Sequence, residues 1–158
     1  MKEEMKKKSL RQITYGMYIV TSLIDDVVGA GTVNWLSQSS FNPPLVMVAI
    51  RKESNLHEAV EKSGVFAVNF LSASQKDFAE DFFRPTSVDG SKINGHPFKL
   101  GITGSPILDE VYSFAECEVS GKLLIGDHTV FVGKTVEAQY RRNDKPLEMR
   151  DTGWFYGG

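Results

Sequence analysis

Short β-favouring segments separated by turn-forming residues run along most of this chain. Their side chains are mainly β-branched, aromatic or aliphatic, which is typical of strands. The segment Leu45–Ile50 has no polar residue on either face and predicts a strand buried on both sides. Asp25 and Asp26 predict a turn between the first two strands. The predicted strands are Tyr15–Thr21, Val27–Trp35, Leu45–Ile50, Val65–Leu71, Ser113–Leu123 and Thr129–Ala138.

Two segments instead carry apolar residues at helical spacing. The first lies between Ser54 or Asn55, residues that cap helices well, and Gly64, which ends it. Its apolar face is formed by Leu56, Ala59 and Val60. The second opens at Ser74–Asp77, a pattern typical of a capping box. Its apolar face is formed by Phe78, Ala79, Phe82 and Phe83, and a core role for these residues is favoured over a cofactor contact.

The remaining segments predict little regular structure. Residues 84–107 contain repeated glycines and prolines and predict a long irregular connection, a kind of loop that is often functional. Residues 1–9 are highly charged and predict a flexible lead-in. With no linker or repeat, residues 1–158 are expected to form one domain. Many strands and few helices predict a mainly β fold, an antiparallel barrel with two or three short helices.

A polar cluster around one tryptophan follows the second predicted strand. Asn34, Ser37, Gln38, Ser39 and Ser40 surround Trp35, and Pro43–Pro44 close the cluster before the next strand. Burying so many hydroxyl and amide groups is costly unless a partner accepts their hydrogen bonds. On composition alone, a binding site and a solvated corner between strands are about equally favoured.

Composition and charge exclude several classes of function. The chain is 41% hydrophobic and 24% charged, as in ordinary globular proteins. A net charge of -2 gives no electrostatic reason to expect a nucleic-acid partner. The longest apolar run, Leu45–Ile50, is far too short for a membrane span. A single cysteine, Cys117, excludes an internal disulfide and, with no signal-peptide pattern, predicts a cytoplasmic protein.

Side chains for metal or hydrolytic chemistry are scattered. The three histidines, His57, His96 and His128, are far apart, and no second histidine follows His57 at the zinc-protease spacing. No serine lies in a nucleophile-elbow pattern. The sequence therefore predicts no metal site and no side-chain nucleophile.

The start of the first helix is a candidate anion site. Its unpaired N–H groups at Ser54 and Asn55, with Arg51 just before them, suit a phosphate. Lys92, in a flexible segment, is a further candidate for the same anion. The alternative is a capped surface helix with solvated charges, which is the commoner role of such a segment.

Aromatic residues and one histidine are candidates for contact with a planar ligand. Trp35 and the terminal Trp154–Tyr156 are able to stack on a ring, but core packing and a subunit contact are the alternatives. His128 follows Asp127 at a predicted hairpin tip, where it is able to donate to a phosphate or an amide. A plain turn is the alternative there. Cys117 is expected to be an inert, buried thiol.

Several of these segments, taken in order, resemble one known family. They are Gly16–Thr21 (Gly-x-x-x-Val-Thr), Ser39–Pro44 (Ser-x-x-x-Pro-Pro), Arg51–Ser54, Gly64–Asn69 (Gly-x-Phe-Ala-Val-Asn) and Gly126–His128 (Gly-Asp-His). In this order they resemble the flavin reductase-like family, whose fold is the FMN-binding split barrel. The sequence around Trp35 is similar to that of the branch of the family that contains flavoredoxins and small flavin reductases.

The resemblance implies an oxidoreductase that passes a hydride from NADH or NADPH to FMN, with FAD as the other flavin to consider. It also implies a homodimer and a monooxygenase or redox-protein partner. The alternatives are an FMN-holding electron carrier and a non-redox binding module. The flavin would supply the redox chemistry, which fits the lack of a nucleophile.

The resemblance also implies roles for individual residues. The isoalloxazine and ribityl chain would contact Asn34, Trp35, Leu36, Ser37, Gln38 and Ser39. The phosphate would contact Arg51, Ser54, Asn55 and Lys92. His128 would act at the nicotinamide or flavin edge, and Trp154 would add an aromatic contact.

Overall fold

A computed structural model describes all residues from Met1 to Gly158. It contains three α-helices, one 3-10 helix (Met149–Asp151) and eleven strands. In chain order these are α1 (Glu3–Leu10), β1 (Tyr18–Ile24), β2 (Val27–Val33), β3 (Leu36–Ser40), β4 (Leu45–Arg51), α2 (Asn55–Ser63), β5 (Val65–Phe70), α3 (Lys76–Asp81), β6 (Val88–Asp89), β7 (Lys92–Ile93), β8 (His96–Leu100), β9 (Pro106–Leu108), β10 (Ser113–Leu123) and β11 (His128–Tyr140). No helix has the length and apolar character needed to cross a membrane.

Seven antiparallel strands form one sheet in the order β2-β1-β5-β10-β11-β4-β3. β2 and β3 are its two edges, yet only Asn34 and Trp35 separate them along the chain. Because such a link spans only about 10 Å, the sheet curls until its edges approach each other. The N–H of Ala49 on β4 donates to the Trp35 carbonyl at 2.9 Å and holds the link in place. The predicted mainly β, antiparallel split barrel is confirmed.

Alternating side chains on β1 separate two hydrophobic clusters. Val20 belongs to a cluster of α2 and strands β1, β4, β5, β10 and β11, which also contains Phe66 and Phe131. Ile19 points to the opposite face, into a cluster that joins β1 and β2 with α3, strands β7 and β9 and the 3-10 helix. The sheet is therefore covered by apolar groups on both faces in this region.

Helix α2 packs unusually close to β2 because β2 carries Gly29. A Cβ atom at Gly29 would lie 2.7 Å from the Cβ of Ala59 and 2.8 Å from the carbonyl oxygen of Asn55. The helix is capped by Ser54, whose Oγ accepts from the N–H of His57 at 3.1 Å, and it ends at Gly64 in the left-handed region. The predicted bounds of this helix are confirmed, and Gly29 fixes where it begins relative to the sheet.

The prediction of little regular structure in residues 84–107 is wrong. This segment forms the four-stranded sheet β6-β7-β8-β9. Its last turn is held by the buried carboxylate of Glu116, which accepts from the N–H groups of Ile102 and Thr103. Glycine and proline do mark tight turns here, but the strands between them are too short to give a clear period-2 pattern.

Other predicted bounds also need correction. Residues 1–9 are not an irregular lead-in, because α1 covers most of them, although none of its residues is buried. The first strand begins at Tyr18 instead of Tyr15. The second ends at Val33, and the polar segment after it forms the edge strand β3. On β4 only Val48 and Ile50 are buried, so its prediction as buried on both faces is wrong.

The second helix is shorter than its apolar sequence pattern predicts. It begins at Lys76, and the side chain of the N-cap residue Gln75 makes no capping hydrogen bond. Ser74 bonds to the hydroxyl of Ser72 instead of capping the helix. The aromatic residues after the helix, Phe82 and Phe83, form a separate turn that leads to the candidate site.

Candidate functional site

A cavity of about 730 Å³ opens beside the link between β2 and β3. Its floor and walls come from β2, the end of β4, the start of α2, the segment after α3 and the C-terminal segment. About half of its lining is hydrophobic. This size and mixture of surfaces suit a small-molecule ligand with a planar apolar part and a few polar groups.

One end of the cavity is formed by the start of α2. Asn55 and Leu56 line it, and the N–H groups of these first helical residues have no acceptor within the helix. The hydroxyl of Ser54 is already engaged, since it donates to the Arg51 carbonyl at 2.8 Å and accepts from His57. The free N–H groups and the positive end of the helix dipole therefore favour an anion at this end. We call this region the anion end.

Two arginines add positive charge to the cavity from different sides. Arg51 ends β4 and forms an exposed ion pair with Glu53 at 3.0 Å. Arg84 lies in the segment after α3, where its guanidinium donates to the Asn94 carbonyl at 3.0 Å. That segment is attached to β2, because Thr86 Oγ1 donates to the Ala30 carbonyl. Both arginines line the cavity, so an anionic ligand would find positive charge from two separate segments of the chain.

The other end is aromatic, and we call it the ring end. The rings of Trp35 and His128 lie 4.6 Å apart, and Tyr156 lies 5.3 Å from Trp35. The indole Nε1 of Trp35 is buried and has no hydrogen-bond partner. An unpaired buried donor is costly, but Trp35 does not line the cavity, so this donor is not part of the cavity surface.

Strand register brings His128 to the cavity. His128 pairs directly with Arg51 across β11 and β4, so the histidine and the arginine lie on neighbouring strand ends. His128 is not the exposed imidazole predicted for a hairpin tip, because only 12% of its side chain is accessible. The imidazole is held from both sides, with Nδ1 2.7 Å from Asp127 Oδ1 and Nε2 2.8 Å from Tyr156 Oη.

The charges of these groups depend on each other. The hydrogen bond from His128 lowers the pKa of Asp127 below its usual value. Burial raises the pKa of the Tyr156 phenol. Asp127 is thus ionised and Tyr156 protonated near neutral pH, which leaves the imidazole between a carboxylate and a neutral hydroxyl.

The C-terminal segment covers the ring end. Trp154 packs edge-to-face on Phe83, with ring centres 4.8 Å apart, and Phe155 lies under the guanidinium of Arg11. Asn34 Nδ2 is 3.4 Å from the Tyr156 carbonyl. These contacts place three consecutive aromatic residues along one wall of the cavity.

A family model described as the flavin reductase like domain matches residues 10–156, nearly the whole chain. The chain belongs to this family. The predicted resemblance is therefore confirmed, and the protein is an oxidoreductase of the flavin reductase type.

Relatives of this flavin reductase like domain agree with that assignment. The ferric-chelate reductase (NAD(P)H) of Archaeoglobus fulgidus is 30% identical over 93% of this chain and 88% of its own length. A flavin reductase of Pseudomonas putida is 31% identical over 94% of this chain and 85% of its own. Diflavin flavoprotein A 1 of Synechocystis is 29% identical, but the chain spans only 27% of that protein.

Solved structures share the fold. The NADH:FAD oxidoreductase SgcE6 of Streptomyces globisporus has a TM-score of 0.79 and 25% identity over 89% of this chain and 84% of that one. BorF, the flavin reductase component of a bacterial two-component tryptophan halogenase, has a TM-score of 0.77 and 25% identity over 92% and 91%. An FMN-binding protein of Thermus thermophilus has a TM-score of 0.71 and 27% identity over 82% and 72%. The names of these proteins favour a flavin reductase over an electron carrier or a binding module.

Some of the residues predicted for flavin contact meet at the cavity and others do not. Its lining includes Asn34, Arg51, Ser54, Asn55, His128 and Trp154. Trp35 lies directly behind that lining, against His128 and Tyr156. Leu36, Ser37, Gln38 and Ser39 lie outside it on the edge strand β3, and Lys92 lies outside it on β7. Roles in flavin binding for all of these residues remain predictions.

Sequence reasoning missed several residues of the cavity. Arg84 and Thr86 were assigned only to an irregular connection, although an arginine beside two phenylalanines and a proline is a recognisable signal. Met17 and Met149 give the cavity apolar walls and carry no pattern that separates them from core residues. Tyr156 was grouped with the aromatic tail, but nothing in the sequence indicates its contact with His128.

The residues present fit a flavin. A planar tricyclic ring needs an apolar wall with a few polar groups, which the ring end offers in the aromatic rings of the C-terminal segment, His128 and the Tyr156 hydroxyl. A phosphate needs N–H groups and a cation, which the anion end offers at Asn55, Leu56 and Arg51. The two ends belong to one continuous cavity, as a phosphorylated flavin requires.

Proposed function

We propose that this flavin reductase uses FMN as its flavin and NADH or NADPH as its reductant, and that both act in the cavity beside the β2–β3 link. When bound, the flavin would supply the redox chemistry, since it is able to accept a hydride, two electrons and one proton, from the nicotinamide. The protein binds the flavin, orients it and keeps water from its reactive face.

The start of α2 is the observation that carries this proposal. Arg51, Asn55 and Leu56 line a cavity that is large enough for a flavin, and the N–H groups of Asn55 and Leu56 have no acceptor within the helix. We assign the FMN phosphate to this anion end, because charge-assisted hydrogen bonds and the helix dipole both favour a dianion there. Glu53 must release Arg51 for the phosphate, which is a small loss because their ion pair is exposed.

We assign the isoalloxazine to the ring end. His128 and Tyr156 line this end of the cavity, and the Trp35 ring packs against both of them from behind. Asn34 lines the same region and is held near the C-terminal segment. His128, at the edge of the ring, is assigned the role of holding a proton at Nε2 for the reaction.

Absorption spectroscopy with turnover assays tests this function. Purified protein supplied with FMN should show flavin absorption and should oxidise NADH or NADPH in a flavin-dependent reaction. Comparison of FMN with FAD, and of NADH with NADPH, identifies the preferred pair. Stoichiometric FMN that survives desalting, with no oxidation of either nicotinamide, would instead indicate an electron carrier.

We further infer a homodimer whose two subunits contact each other through the exposed edge strand of the barrel. β3 leaves one side of its backbone unpaired, and Phe41 beside it is 92% exposed. Unpaired edges and large exposed apolar groups are typical of interfaces. In such a dimer Ser37–Ser39 would lie near the subunit boundary instead of facing solvent. Light scattering at micromolar concentration should give twice the mass of the chain.

A monooxygenase-type partner that receives reduced flavin is the third part of the proposal. BorF is by name a reductase component of a two-component system. A nitrilotriacetate monooxygenase component B from Mycobacterium thermoresistibile is also similar, with a TM-score of 0.78 and 27% identity over 92% of this chain and 80% of that one. Gel filtration after turnover tests whether the protein releases its reduced flavin. Only a released flavin is able to reach a separate partner.

A further inference from the structure

Three groups from different segments form a continuous hydrogen-bonded chain at the ring end. Asp127 Oδ1 lies 2.7 Å from His128 Nδ1, and His128 Nε2 lies 2.8 Å from Tyr156 Oη. Because an ionised carboxylate only accepts, Nδ1 carries a proton that it donates to Asp127. Nε2 and Oη then share the remaining hydrogen bond, with the donor set by whether the imidazole is charged.

This chain runs from solvent to the cavity. The Asp127 side chain is 92% exposed, whereas the His128 side chain is 12% exposed. Tyr156 belongs to the cavity lining. The phenol ring is held against Trp35, at a ring distance of 5.3 Å, so its hydroxyl has a defined position. A hydroxyl with two lone pairs is able to accept from Nε2 and donate into the cavity at the same time.

We propose that Asp127, His128 and Tyr156 form a proton relay in which the Tyr156 hydroxyl contacts the flavin and delivers the proton that flavin reduction consumes. The relay rests on the proposed function. NAD(P)H supplies a hydride, which is two electrons and one proton, so formation of fully reduced FMN takes up one more proton. His128 and Tyr156 are catalytic residues in this assignment, and Asp127 is a positioning residue that holds the imidazole through its Nδ1–H.

The step balances without any redox change in the protein. With a flavin bound and reduced in the cavity, the Tyr156 hydroxyl would give up its proton and would take the Nε2–H proton of the imidazolium in its place. One proton would leave His128, while the phenol stays neutral and Asp127 stays ionised. His128 would regain a proton from solvent before the next turnover.

Other charged groups around His128 are few. Arg51 lies beside it on β4, and Glu53 pairs with that arginine. Burial raises the pKa of the Tyr156 phenol, so the hydroxyl stays protonated at neutral pH. The uncharged hydroxyl therefore carries a proton into an apolar cavity at a lower electrostatic cost than a charged group would.

The first test uses the protein without ligand. Replacement of Trp154 by phenylalanine leaves Trp35 as the single tryptophan, and a charged imidazole 4.6 Å away quenches indole fluorescence. The intensity of this signal reports how closely His128 is held against the indole. In Asp127→Asn the intensity should change, because a neutral amide binds the Nδ1–H of His128 less strongly than a carboxylate does. An unchanged intensity overturns the role of Asp127.

The second test separates proton delivery from binding. Tyr156→Phe removes only the hydroxyl, and we expect kcat to fall about 100- to 10,000-fold with the FMN Kd changed less than twofold. The solvent isotope effect on kcat should change as well. Tyr140→Phe is the matched control, because it removes an exposed tyrosine hydroxyl that donates to Asn143 at 2.8 Å, far from the cavity. It should leave kcat unchanged.

The outcomes distinguish this inference from the proposed function. If wild-type protein reduces FMN and Tyr156→Phe does so equally well, the relay is wrong and the function stands. If kcat and FMN affinity fall together, Tyr156 only helps to close the cavity, and the relay is again wrong. If wild-type protein binds FMN and does not oxidise NADH or NADPH, the proposed function is wrong, and the relay fails with it.

Discussion

At the anion end of the cavity the polar groups come from one continuous segment, Arg51 to Asn55, whereas the ring end joins Trp35, His128 and Tyr156 from distant parts of the chain. The first is a local structure that strand end, cap and helix start determine together. The second exists only after the barrel has formed. Local sites are therefore readable from sequence, and sites made by topology are not.

The largest expected effect comes from removing the cation of the anion end. Arg51→Ala should weaken FMN binding about ten- to a hundred-fold, the value of one charge-assisted hydrogen bond. Riboflavin, which lacks the phosphate, should bind as before, and titration with both ligands measures the difference.

Lys52→Ala is the matched control for Arg51. It removes the neighbouring positive charge, but the Lys52 ammonium donates to the Leu124 carbonyl and does not line the cavity. FMN affinity should change less than twofold. Equal losses for FMN and riboflavin in Arg51→Ala would mean that the phosphate lies elsewhere.

The next effect tests how the anion end depends on the barrel. In Gly29→Ala the new Cβ would lie 2.7 Å from the Cβ of Ala59 and 2.8 Å from the Cα of Leu56, so α2 must move. Such overpacking costs about 1–3 kcal/mol. The free energy of unfolding should fall by that amount, and FMN affinity should fall more than riboflavin affinity. Chemical denaturation and ligand titration measure the two effects.

Gly31→Ala is the control for this change. A Cβ there meets only the Leu56 side chain, at an ordinary 3.7 Å. Its stability should be close to that of the wild type. Labelling of Cys117 offers a second probe of global unfolding, since burial raises the pKa of this thiol to about 11 and the folded protein should resist the reagent. If Gly29→Ala were as stable as Gly31→Ala, the close contact between Gly29 and α2 would not be what holds the helix in place.

A smaller effect separates capping from phosphate binding at Ser54. Because its hydroxyl caps α2, Ser54→Ala should cost about 1 kcal/mol of stability. FMN binding should weaken with the stability, because the loosened helix start carries the N–H groups assigned to the phosphate, and riboflavin binding should change little. Ser54→Asn, which keeps a capping group, should restore both the stability and the FMN affinity. A loss of FMN affinity that persists in Ser54→Asn after the stability is restored would instead support the direct phosphate contact predicted from sequence.

The smallest effect is at the ring end and appears only in acid. The hydrogen bond from His128 lowers the pKa of Asp127 below its ordinary 3.8. A carboxyl group of this kind stabilises the folded protein above its ordinary pKa and loses that effect as the pH falls through the lowered pKa. In His128→Phe the pKa of Asp127 should rise toward its ordinary value, as carboxyl NMR titration would measure. An unchanged pKa would mean that the two side chains do not interact in solution.

The same contrast explains how far sequence reasoning reached. The α2 segment from Ser54 to Gly64 and the β10–β11 pair were predictable, because caps, glycine and apolar spacing act over a few residues. The edge strand β3 was missed because its polar side chains are exposed and resemble a loop. Contacts of Tyr156 with His128 and Trp35 depend on the barrel topology and carry no local signal.

The two-residue link between the sheet edges also makes the ring end a measure of local opening. Asn34 holds the C-terminal segment, Trp35 supplies the ring, and the Trp35 carbonyl accepts from the amide of Ala49. Any fluctuation that separates the edges removes all three contacts at once, while Arg51 and α2 keep theirs. The exchange rate of the Ala49 amide hydrogen in heavy water therefore reports how often the ring end comes apart in an otherwise folded protein, and a bound flavin should slow that rate.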